Sequence, residues 1–342
     1  MRSLTLVIVS IFTLIYAQDT CAQFITKKYL RKNKDALTTT FGDSTMYSRG
    51  IYVDSNLIYF GGSDGSIRCH NTETNKTRIV IKLATRGETR DLEASNGVIY
   101  GMQSGDNGIL TKVSPSGSVG FIEPREWNGV FFDALDFNGD VGFLMGDPVD
   151  GNFTLYHTKD GGRTWNPCEG KVPAITGEAG FAASGSNVHV LNDSTYMFIS
   201  GGMSSNFYKS LDSGKTWTTV EVPYYPSETT GAYSMCFIDD LNGVVVGGNY
   251  KQPELKMNTT YYTHDGGATW YNSRQPPGGY RSCVFAYNGI FYCCGRNGID
   301  FSENGEDWTP FAEGTFYALN VCNDMLIATT TKGRFTSFNL VE

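Results

Sequence analysis

The chain has 342 residues, of which 13% are aromatic and 18% are charged, and it contains 40 glycines. This composition indicates a globular, turn-rich β protein, and no segment resembles a disordered tail. The formal net charge of -8 disfavours a nucleic-acid-binding protein, which would need a surplus of positive charge to attract phosphates.

The N-terminus has the features of a secretory leader. Arg2 precedes an apolar run from Leu4 to Tyr16, and small residues stand at Ala17 and Ala22, where a signal peptidase could cut. The run is short for a membrane span, and no later segment approaches the ~18 consecutive apolar residues that a transmembrane helix needs. An uncleaved membrane anchor is the alternative.

We therefore predict a signal peptide over residues 1–22, a secreted, extracellular protein, and no transmembrane segment after the leader. Residues 23–342 are predicted to form one domain, because a closed ring of repeats grows by adding units. Four N-x-[S/T] sequons fit a glycoprotein and give the predicted glycosylation sites, at Asn75, Asn152, Asn192 and Asn258.

Seven short apolar strands recur along the chain at a spacing typical of propeller blades, roughly 45 residues. Their first residues are Arg49, Arg90, Asp133, Ala179, Tyr233, Arg281 and Tyr317. A second apolar strand follows each one and usually ends in glycine, as in LIYFGG and VGFLMG. This repetition predicts an all-β fold, a seven-bladed β-propeller whose blades each contain four strands.

The last blade is predicted to close the ring. After Tyr317 the chain has room for only about three strands of a four-stranded blade. Residues 24–32 (FITKKYLRK) are predicted to supply the missing N-terminal strand. Such closure would join the chain ends and remove an exposed sheet edge.

Three octapeptides of the form [S/T]-x-D-x-G-x-T-W end at Trp165, Trp217 and Trp270, and they recur about every 50 residues. We predict turns between the third and fourth strands, in which Asp accepts backbone N–H bonds, Gly supplies a positive φ and Trp packs beside the hairpin. The predicted structural residues are Asp160, Trp165, Asp212, Trp217, Asp265 and Trp270. A degenerate copy, SENGEDW, ends at Trp308. The alternative, that these carboxylates act as acids or metal ligands, is weak because they repeat around a ring without converging.

The eight cysteines suit an exported chain, although loss of Cys21 with the leader would leave an odd thiol. A disulfide across neighbouring strands in the C-terminal third is one option, but its connectivity cannot be deduced. The chain has no C-x-x-C pair and no histidines at ligand spacing. We predict no metal and no cofactor.

The inner strands of a propeller start beside the central channel, on the face where the loops between strands two and three also open. The residues predicted to bind a ligand there are Arg49, Arg90, Asp91, Asp133, Glu178, Tyr233, Arg281 and Tyr317. Adjacent loops add Asp147, Lys251 and Arg296. Arginine presents a planar fork of donors that suits a carboxylate or phosphate. Ion pairs between neighbouring blades are the alternative, and they would need no ligand.

The strings DALDF, GDPVDGNF, GEAGFAASG and GYRS, together with TKDGGRTW, resemble bacterial Asp-box (BNR-type) propellers related to the photosystem II assembly factor. The resemblance runs from about Arg49 to Trp308. It implies seven blades, no established catalysis and an arginine-lined face that receives a client protein. The matching positions are Arg49, Arg90 and Arg281. The photosynthetic client is not carried over, because the leader and the sequons place this chain outside a plastid.

More distantly, the chain is similar to sialidases, which use three arginines on the substrate carboxylate, a Tyr nucleophile assisted by Glu, and an Asp acid. The candidates for these roles are Arg49, Arg90 and Arg281 as the clamp, Tyr233 or Tyr317 with Glu178 as nucleophile and base, and Asp91 or Asp133 as the acid. The chain departs from that family in lacking an F-R-I-P string and in predicting seven blades where sialidases have six.

The sequence therefore predicts a secreted, non-catalytic propeller that binds an unidentified protein or an anionic or glycan ligand through its arginine-bearing channel face. A sialidase-like glycoside hydrolase is the alternative function, and a hydrolase that uses two carboxylates is a lesser one.

Overall fold

The computed structural model describes residues 36–83 and 87–340, which form thirty strands and one short 3-10 helix, Arg125–Trp127. The predicted signal peptide and the predicted strand at 24–32 lie outside these residues. Within them, no helix is long and apolar enough to cross a membrane. The strands make seven antiparallel sheets, which are the seven blades of a β-propeller.

The first three blades each contain four consecutive strands, which follow one another from the channel outward. Blade 1 consists of β2 (Ser48–Asp54), β3 (Leu57–Gly62), β4 (Ser66–Asn71) and β5 (Lys76–Lys82). Blade 2 consists of β6 (Glu88–Ser95), β7 (Val98–Ser104), β8 (Ile109–Val113) and β9 (Val119–Ile122). Blade 3 consists of β10 (Phe132–Asn138), β11 (Val141–Val149), β12 (Asn152–Thr158) and β13 (Asn166–Pro167).

Blades 4 to 6 follow the same order. Blade 4 consists of β15 (Val188–Val190), β16 (Tyr196–Ile199), β18 (Asn206–Ser210) and β19 (Thr218–Glu221). Blade 5 consists of β20 (Thr230–Phe237), β21 (Gly243–Asn249), β22 (Thr260–Thr263) and β23 (Tyr271–Asn272). Blade 6 consists of β24 (Cys283–Tyr287), β25 (Ile290–Gly295), β26 (Gly298–Ser302) and β27 (Thr309–Ala312).

Blade 7 combines strands from both ends of the described chain. Its inner strands are β28 (Phe316–Cys322), β29 (Met325–Thr330) and β30 (Arg334–Asn339), and its outermost strand is β1 (Leu37–Thr40). The β1 strand pairs antiparallel with β30, with Leu37 opposite Ser337 and Thr40 opposite Arg334. The outer edge of the last blade is thus covered by a segment that follows residues 24–32 in the chain.

The inner strand predicted to begin at Ala179 does not form. Instead, β14 (Glu178–Ala179) pairs with β17 (Gly201–Gly202), which in turn bridges to Gly231 at the start of β20. The inner strand of blade 4 is the short β15, and residues 180–187 contain no strand.

The hydrophobic core is divided among the interfaces between blades. Seven clusters of buried apolar side chains each join two neighbouring blades, including blades 7 and 1. In the cluster between blades 5 and 6, Trp308 packs with Val244, Phe291 and Cys293. Each blade therefore buries its two faces against its neighbours, because a single blade has no core of its own.

The three octapeptides form the same turn, on the face of the ring opposite the starts of the inner strands. In the first, the Asp160 carboxylate accepts the Thr158 and Thr164 hydroxyls at 2.8 and 2.7 Å and the Thr164 N–H at 2.9 Å. The Thr158 hydroxyl oxygen accepts the Gly162 N–H at 3.1 Å. The same bonds recur around Asp212 and Asp265. These turns require two successive residues with positive φ, such as Gly161 and Gly162 at 71° and 80°.

The tryptophans that end the octapeptides pack against aromatic rings at the interfaces between blades. Trp165 contacts Phe137, and Trp270 contacts Phe207, with ring centroids 5.7 and 5.3 Å apart. In the degenerate copy, Asn304 replaces Asp and accepts two backbone N–H bonds, at 2.9 and 3.0 Å. The turn therefore needs an oxygen acceptor at this position and does not strictly need a negative charge.

Candidate ligand-binding site

Five of the inner strands carry a β-bulge at the end where they start. At that point the inner strand contains one residue more than the stretch of the second strand with which it pairs. The first residues that fall in these bulges are Arg49, Arg90, Asp133, Tyr233 and Tyr317. A bulge bends the strand and re-aims the side chain of its unpaired residue. Four of these five side chains, all but Asp133, line one pocket.

Residues 180–187, hereafter the plug, cross the central channel. The plug contacts blades 5 and 6. The Ser184 hydroxyl donates to Ser282 O, just before β24, at 2.8 Å, and the Ser186 hydroxyl lies 2.6 Å from that of Ser234 on β20. A Cβ added at Gly185 would lie 1.9 Å from the Asp91 carboxylate. Only glycine allows this approach, so the small residues of the plug let its backbone fill the channel.

The plug forms the floor of a pocket of ≈ 210 Å³ on the face where the inner strands start. The pocket is lined by three arginines, four tyrosines, two phenylalanines and three small residues, namely Arg49, Arg90, Arg296, Tyr233, Tyr250, Tyr280, Tyr317, Phe181, Phe316, Ala182, Ala183 and Ser282. None of these lining residues carries a carboxylate. The pocket is therefore positively charged and largely aromatic.

Arg49 is held in place by the plug and by two aromatic rings. Its Nη1 donates a hydrogen bond to Ala183 O at 3.2 Å. The centre of its guanidinium lies 5.4 Å from the Tyr47 ring and 5.7 Å from the Tyr317 ring, within the range of cation–π attraction. Arg49 is therefore fixed before any ligand arrives.

Arg90 is held by a carboxylate and by the plug. Its Nε donates to Glu88 at 2.8 Å, and its Nη1 donates to Ala182 O at 3.4 Å. The other Glu88 oxygen accepts the Tyr47 hydroxyl at 2.6 Å. Among the described residues, Arg90 Nη2 donates no hydrogen bond. One edge of this guanidinium thus stays available for an anion.

Arg296 is the third guanidinium of the pocket and is exposed. It belongs to the turn between β25 and β26, where its Nη1 donates to Tyr250 O at 3.4 Å and its guanidinium centre lies 6.0 Å from the Tyr250 ring. This arginine takes the place in the pocket that the sequence had assigned to Arg281.

One part of the pocket wall is aromatic. Phe181 from the plug stacks on Tyr233 with centroids 4.1 Å apart and planes within 3°, and Tyr280 meets Tyr233 edge-on at 4.9 Å. The Tyr233 hydroxyl donates to Thr229 O at 3.1 Å. Burial raises the pKa of Tyr233 far above its usual value, with Tyr280 and Tyr250 adding to the effect. Tyr233 is therefore held in the wall of the pocket by its ring contacts and by the hydrogen bond of its hydroxyl to backbone.

Arg281 does not face the channel, which corrects the sequence-based prediction. Its side chain is only 1% exposed. Its Nε donates to Asp300 at 2.8 Å, Nη2 contacts the same carboxylate, and Nη1 donates to Tyr280 O at 2.9 Å. Arg281 lies just before its strand, where no bulge turns it toward the channel. It is one half of a buried ion pair.

The prediction that Glu178 lies at the channel face is also wrong. Its carboxylate is buried and accepts the Tyr208 hydroxyl at 2.6 Å, Asn206 Nδ2 at 2.9 Å and the Ile175 N–H at 2.9 Å. It therefore joins the loop before β14 to blade 4. It does not line the pocket with Tyr233 or Tyr317, so the nucleophile and base pair expected of a sialidase does not form.

Asp91 and Asp133 lie beneath the plug and outside the pocket, contrary to prediction. The Asp91 carboxylate accepts the N–H groups of Leu92 and Leu135, both at 2.8 Å, which ties blade 2 to blade 3. Burial raises the pKa of Asp91 to about 7 despite these donors. Burial and the neighbouring Asp147 carboxyl hold the pKa of Asp133 well above its usual range. Among the described residues, neither oxygen of Asp133 has a partner at full hydrogen-bonding geometry, although the Ala182 N–H and the Arg90 charge partly offset the effect of burial on its pKa.

The remaining predicted features lie away from the pocket. Asn75 and Asn192 are exposed in turns, and Asn152 and Asn258 are partly exposed. The seven described cysteines are free thiols, and Cys283 and Cys294 stand opposite each other on β24 and β25. In the described part of the chain, no group of three or more His, Cys, Asp or Glu side chains is arranged to hold a metal ion.

Sequence reasoning missed most of the aromatic and small residues that line the pocket, and the two residues that support Arg90. The lining residues are Phe181, Phe316, Tyr250, Tyr280, Ala182, Ala183 and Ser282, and the supporting residues are Tyr47 and Glu88. The signal that could have located Phe181 is the run GFAASGSN, in which small residues follow one another where a strand was expected. Such runs mark places where backbones approach closely.

Comparison with known proteins supports the architecture. The family model Sortilin-Vps10 (sortilin, neurotensin receptor 3) matches residues 153–304, which is less than half of the chain. A search of curated proteins finds no match. Among solved structures, the WD40 β-propeller domain of Doa1 is 10% identical with a TM-score of 0.63, covering 90% of this chain and 96% of that one. The computationally designed Ika8 protein is 11% identical with a TM-score of 0.55, covering 88% and 98%.

At these identities the solved structures establish the fold alone. The chain is a seven-bladed β-propeller that is similar to the Sortilin-Vps10 propeller family from blade 3 to blade 6.

Proposed function

We propose that this protein is a non-catalytic binding module that receives an anionic group of a protein or glycan ligand in the pocket above the plug. The observation that carries the proposal is that Arg49, Arg90 and Arg296 line one pocket whose lining has no carboxylate. A guanidinium fork matches the geometry of a carboxylate, sulfate or phosphate, and a partly enclosed site strengthens the attraction.

Preorganisation supports binding over a merely structural role. Arg49 and Arg90 are each held by a carbonyl oxygen of the plug, at 3.2 and 3.4 Å. Because these side chains are already ordered, a ligand does not have to spend binding energy on fixing them. The aromatic wall of Phe181, Tyr233 and Tyr280 can cover an apolar or sugar-ring surface beside the anionic group.

The similarity to the Sortilin-Vps10 family model, whose description names a neurotensin receptor, also fits a binding module. Export and N-glycosylation at Asn75 and Asn192 form part of the proposal, because the sequence predicts a leader and these two sequons lie at exposed turns. Catalysis of the sialidase type is not favoured, since Glu178 binds Tyr208 and the pocket tyrosine Tyr233 has a raised pKa.

The test is to measure binding of the wild type and of Arg90→Ala and Arg49→Ala to an array of sulfated and sialylated glycans and acidic peptides. Each substitution removes charge-assisted hydrogen bonds worth about 1.5–3 kcal/mol, so we expect affinity to fall roughly 10- to 100-fold. Arg90→Lys keeps the charge but loses the fork, and we expect an intermediate loss.

Arg163→Ala is the matched control, because Arg163 is an exposed arginine on the octapeptide face. It should bind as the wild type does. Unchanged binding by both pocket variants would refute the proposal. Hydrolysis of a fluorogenic sialoside by the wild type, abolished by Arg90→Ala, would refute the non-catalytic assignment.

A further inference from the structure

A second cavity, hereafter the crevice, opens on the same face as the central pocket. It has a volume of ≈ 300 Å³ and lies between the connection from blade 4 to blade 5 and the loop that joins β21 to β22. Three large apolar side chains line it while remaining well exposed, namely Tyr225 at 74%, Leu255 at 52% and Met257 at 82%. Clustered exposed apolar side chains of this size mark an interaction surface more often than isolated ones do.

The crevice and the central pocket share a wall. Tyr233 lines the pocket and Thr230, three residues earlier on β20, lines the crevice, while Tyr250 and Asn249 are neighbours in the chain that line the pocket and the crevice respectively. The wall is braced by hydrogen bonds from the Tyr233 hydroxyl to Thr229 O at 3.1 Å and from the Thr229 hydroxyl to Asn249 at 3.0 Å. One extended ligand could therefore occupy both cavities.

We infer that the crevice receives an apolar side chain of an acidic polypeptide whose carboxylate occupies the central pocket. This inference rests on the proposed function and names the class of ligand. The three arginines of the pocket favour a partner with a negatively charged group. The crevice beside the pocket favours a partner that also carries an apolar side chain. Met and Tyr suit such a role, because Met adapts its shape to the partner and Tyr offers a large rigid surface.

The chemistry of the crevice favours a polypeptide over a glycan. A sugar packed against Leu255 and Met257 would lose hydrogen bonds from its hydroxyls to water, whereas an apolar side chain has none to lose. A second copy of this chain fits less well, since a two-fold dimer through this face would bring two arginine-lined pockets together. A partner segment that carries both an acidic and an apolar side chain satisfies both cavities.

The test starts from a phage-displayed library of random peptides, each about 12 residues long so that its extended length of roughly 40 Å can span both cavities, selected on the wild-type protein. We expect the selected peptides to share an Asp or Glu and, a few residues away, an aromatic or long aliphatic residue. Their affinities are then measured by fluorescence polarisation against Tyr225→Ser with Met257→Ser, against Arg90→Ala, and against Tyr271→Ser. Tyr271 is 52% exposed on the outer strand of blade 5 and serves as the matched control.

Peptides with Ala at the acidic or at the apolar position complete two double-mutant cycles. We expect the crevice variant to weaken binding at least about fivefold, and this effect to vanish for the peptide that lacks the apolar residue. Likewise, the effect of Arg90→Ala should vanish for the peptide that lacks the acidic residue. Tyr271→Ser should bind all peptides normally.

The outcomes separate this inference from the proposed function. If Arg90→Ala abolishes binding and the crevice variant does not, the proposed function stands and the inference is wrong. If only the crevice variant matters, both fail as stated. The inference is also overturned if no acidic–apolar peptide is selected, if the wild type forms a dimer that Met257→Ser dissociates, or if binding appears only after Asn258→Gln, which would mean that a glycan covers the crevice.

Discussion

Carboxylates on the two sides of the ring are held in opposite ways. On the octapeptide face, hydrogen bonds from the Thr216 and Thr269 hydroxyls and N–H groups lower the pKa of Asp212 and Asp265 to about 2. Beneath the plug, burial raises the pKa of Asp91 and holds that of Asp133 well above its usual range. The same residue type thus acts as a charged turn fastener on one face and as a buried, protonation-sensitive group near the channel.

The difference shows where the molecule is specialised. The turns repeat with the same bonds in blades 3, 4 and 5, which is expected of residues that only close a hairpin. Around the channel the blades contribute different groups, because bulges present arginine from two blades, tyrosine from two others and a buried aspartate from blade 3. Repetition marks the scaffold, and divergence at equivalent positions marks the site.

The largest expected effect on stability comes from breaking the buried ion pair near the channel, and an exposed ion pair on the octapeptide face provides the comparison. Arg281→Ala leaves the Asp300 carboxylate, which is 2% exposed, without its partner, and we expect a loss of roughly 3–5 kcal/mol in the free energy of unfolding. Arg274→Ala breaks a pair with Asp307 in which Arg274 is 71% exposed, and it should change the free energy of unfolding far less, because solvent and salt screen an exposed pair. Urea denaturation of both variants measures the difference, and equal losses would show that burial does not distinguish the two sides.

A smaller effect is expected from Asp133→Asn, which replaces the buried carboxyl by a neutral group of similar shape. Because the folded pKa of Asp133 is raised, its ionisation destabilises the fold progressively as pH rises above the unfolded pKa of about 3.9. The variant should therefore gain stability relative to the wild type as pH rises from about 4 toward neutral. Thermal melts across this range measure it, and a constant difference would contradict the expectation.

The smallest effect is expected at the octapeptide turn, with the opposite dependence on pH. Asp265 has a lowered folded pKa, so its contribution is present above the unfolded pKa and is lost as pH falls toward about 2. We expect Asp265→Asn to cost about 1 kcal/mol or less at pH 7, since the group is exposed and Asn304 serves in the equivalent turn. Near pH 2 the cost should disappear. A cost that persists there would mean that the charge of Asp265 is not the cause.

Much of the architecture could be predicted from the sequence, and the reason is local. The second strand of each blade is an apolar run that usually ends in glycine. The sequence contains seven such runs, which indicates seven blades. The prediction failed at blade 4, because AGFAA has the composition of a buried strand. Its small side chains instead allow residues 180–187 to pass close to Asp91 and Asp133.

The candidate site was predicted only in part. The direction in which a side chain points depends on features, such as bulges, that a strand pattern does not encode. Arg49 and Arg281 occupy similar places in their sequence repeats, but a bulge turns Arg49 into the pocket whereas Arg281 lies before its strand and pairs with Asp300. Tyr250 and Tyr280 lie in connections of unequal length, so no repeat aligns them. Long-range placement of this kind follows from tertiary packing.

The pairing of Leu37–Thr40 with β30 has a consequence for how the chain folds during its synthesis. The Thr38 and Thr336 hydroxyls, 3.0 Å apart, are separated by 298 positions in the chain. A ribosome delivers Thr38 298 residues before Thr336, so β1 has no partner until the strands of the intervening blades have been made. Because such distant contacts form slowly, we expect the open intermediate to be the state most exposed to chaperones and to aggregation.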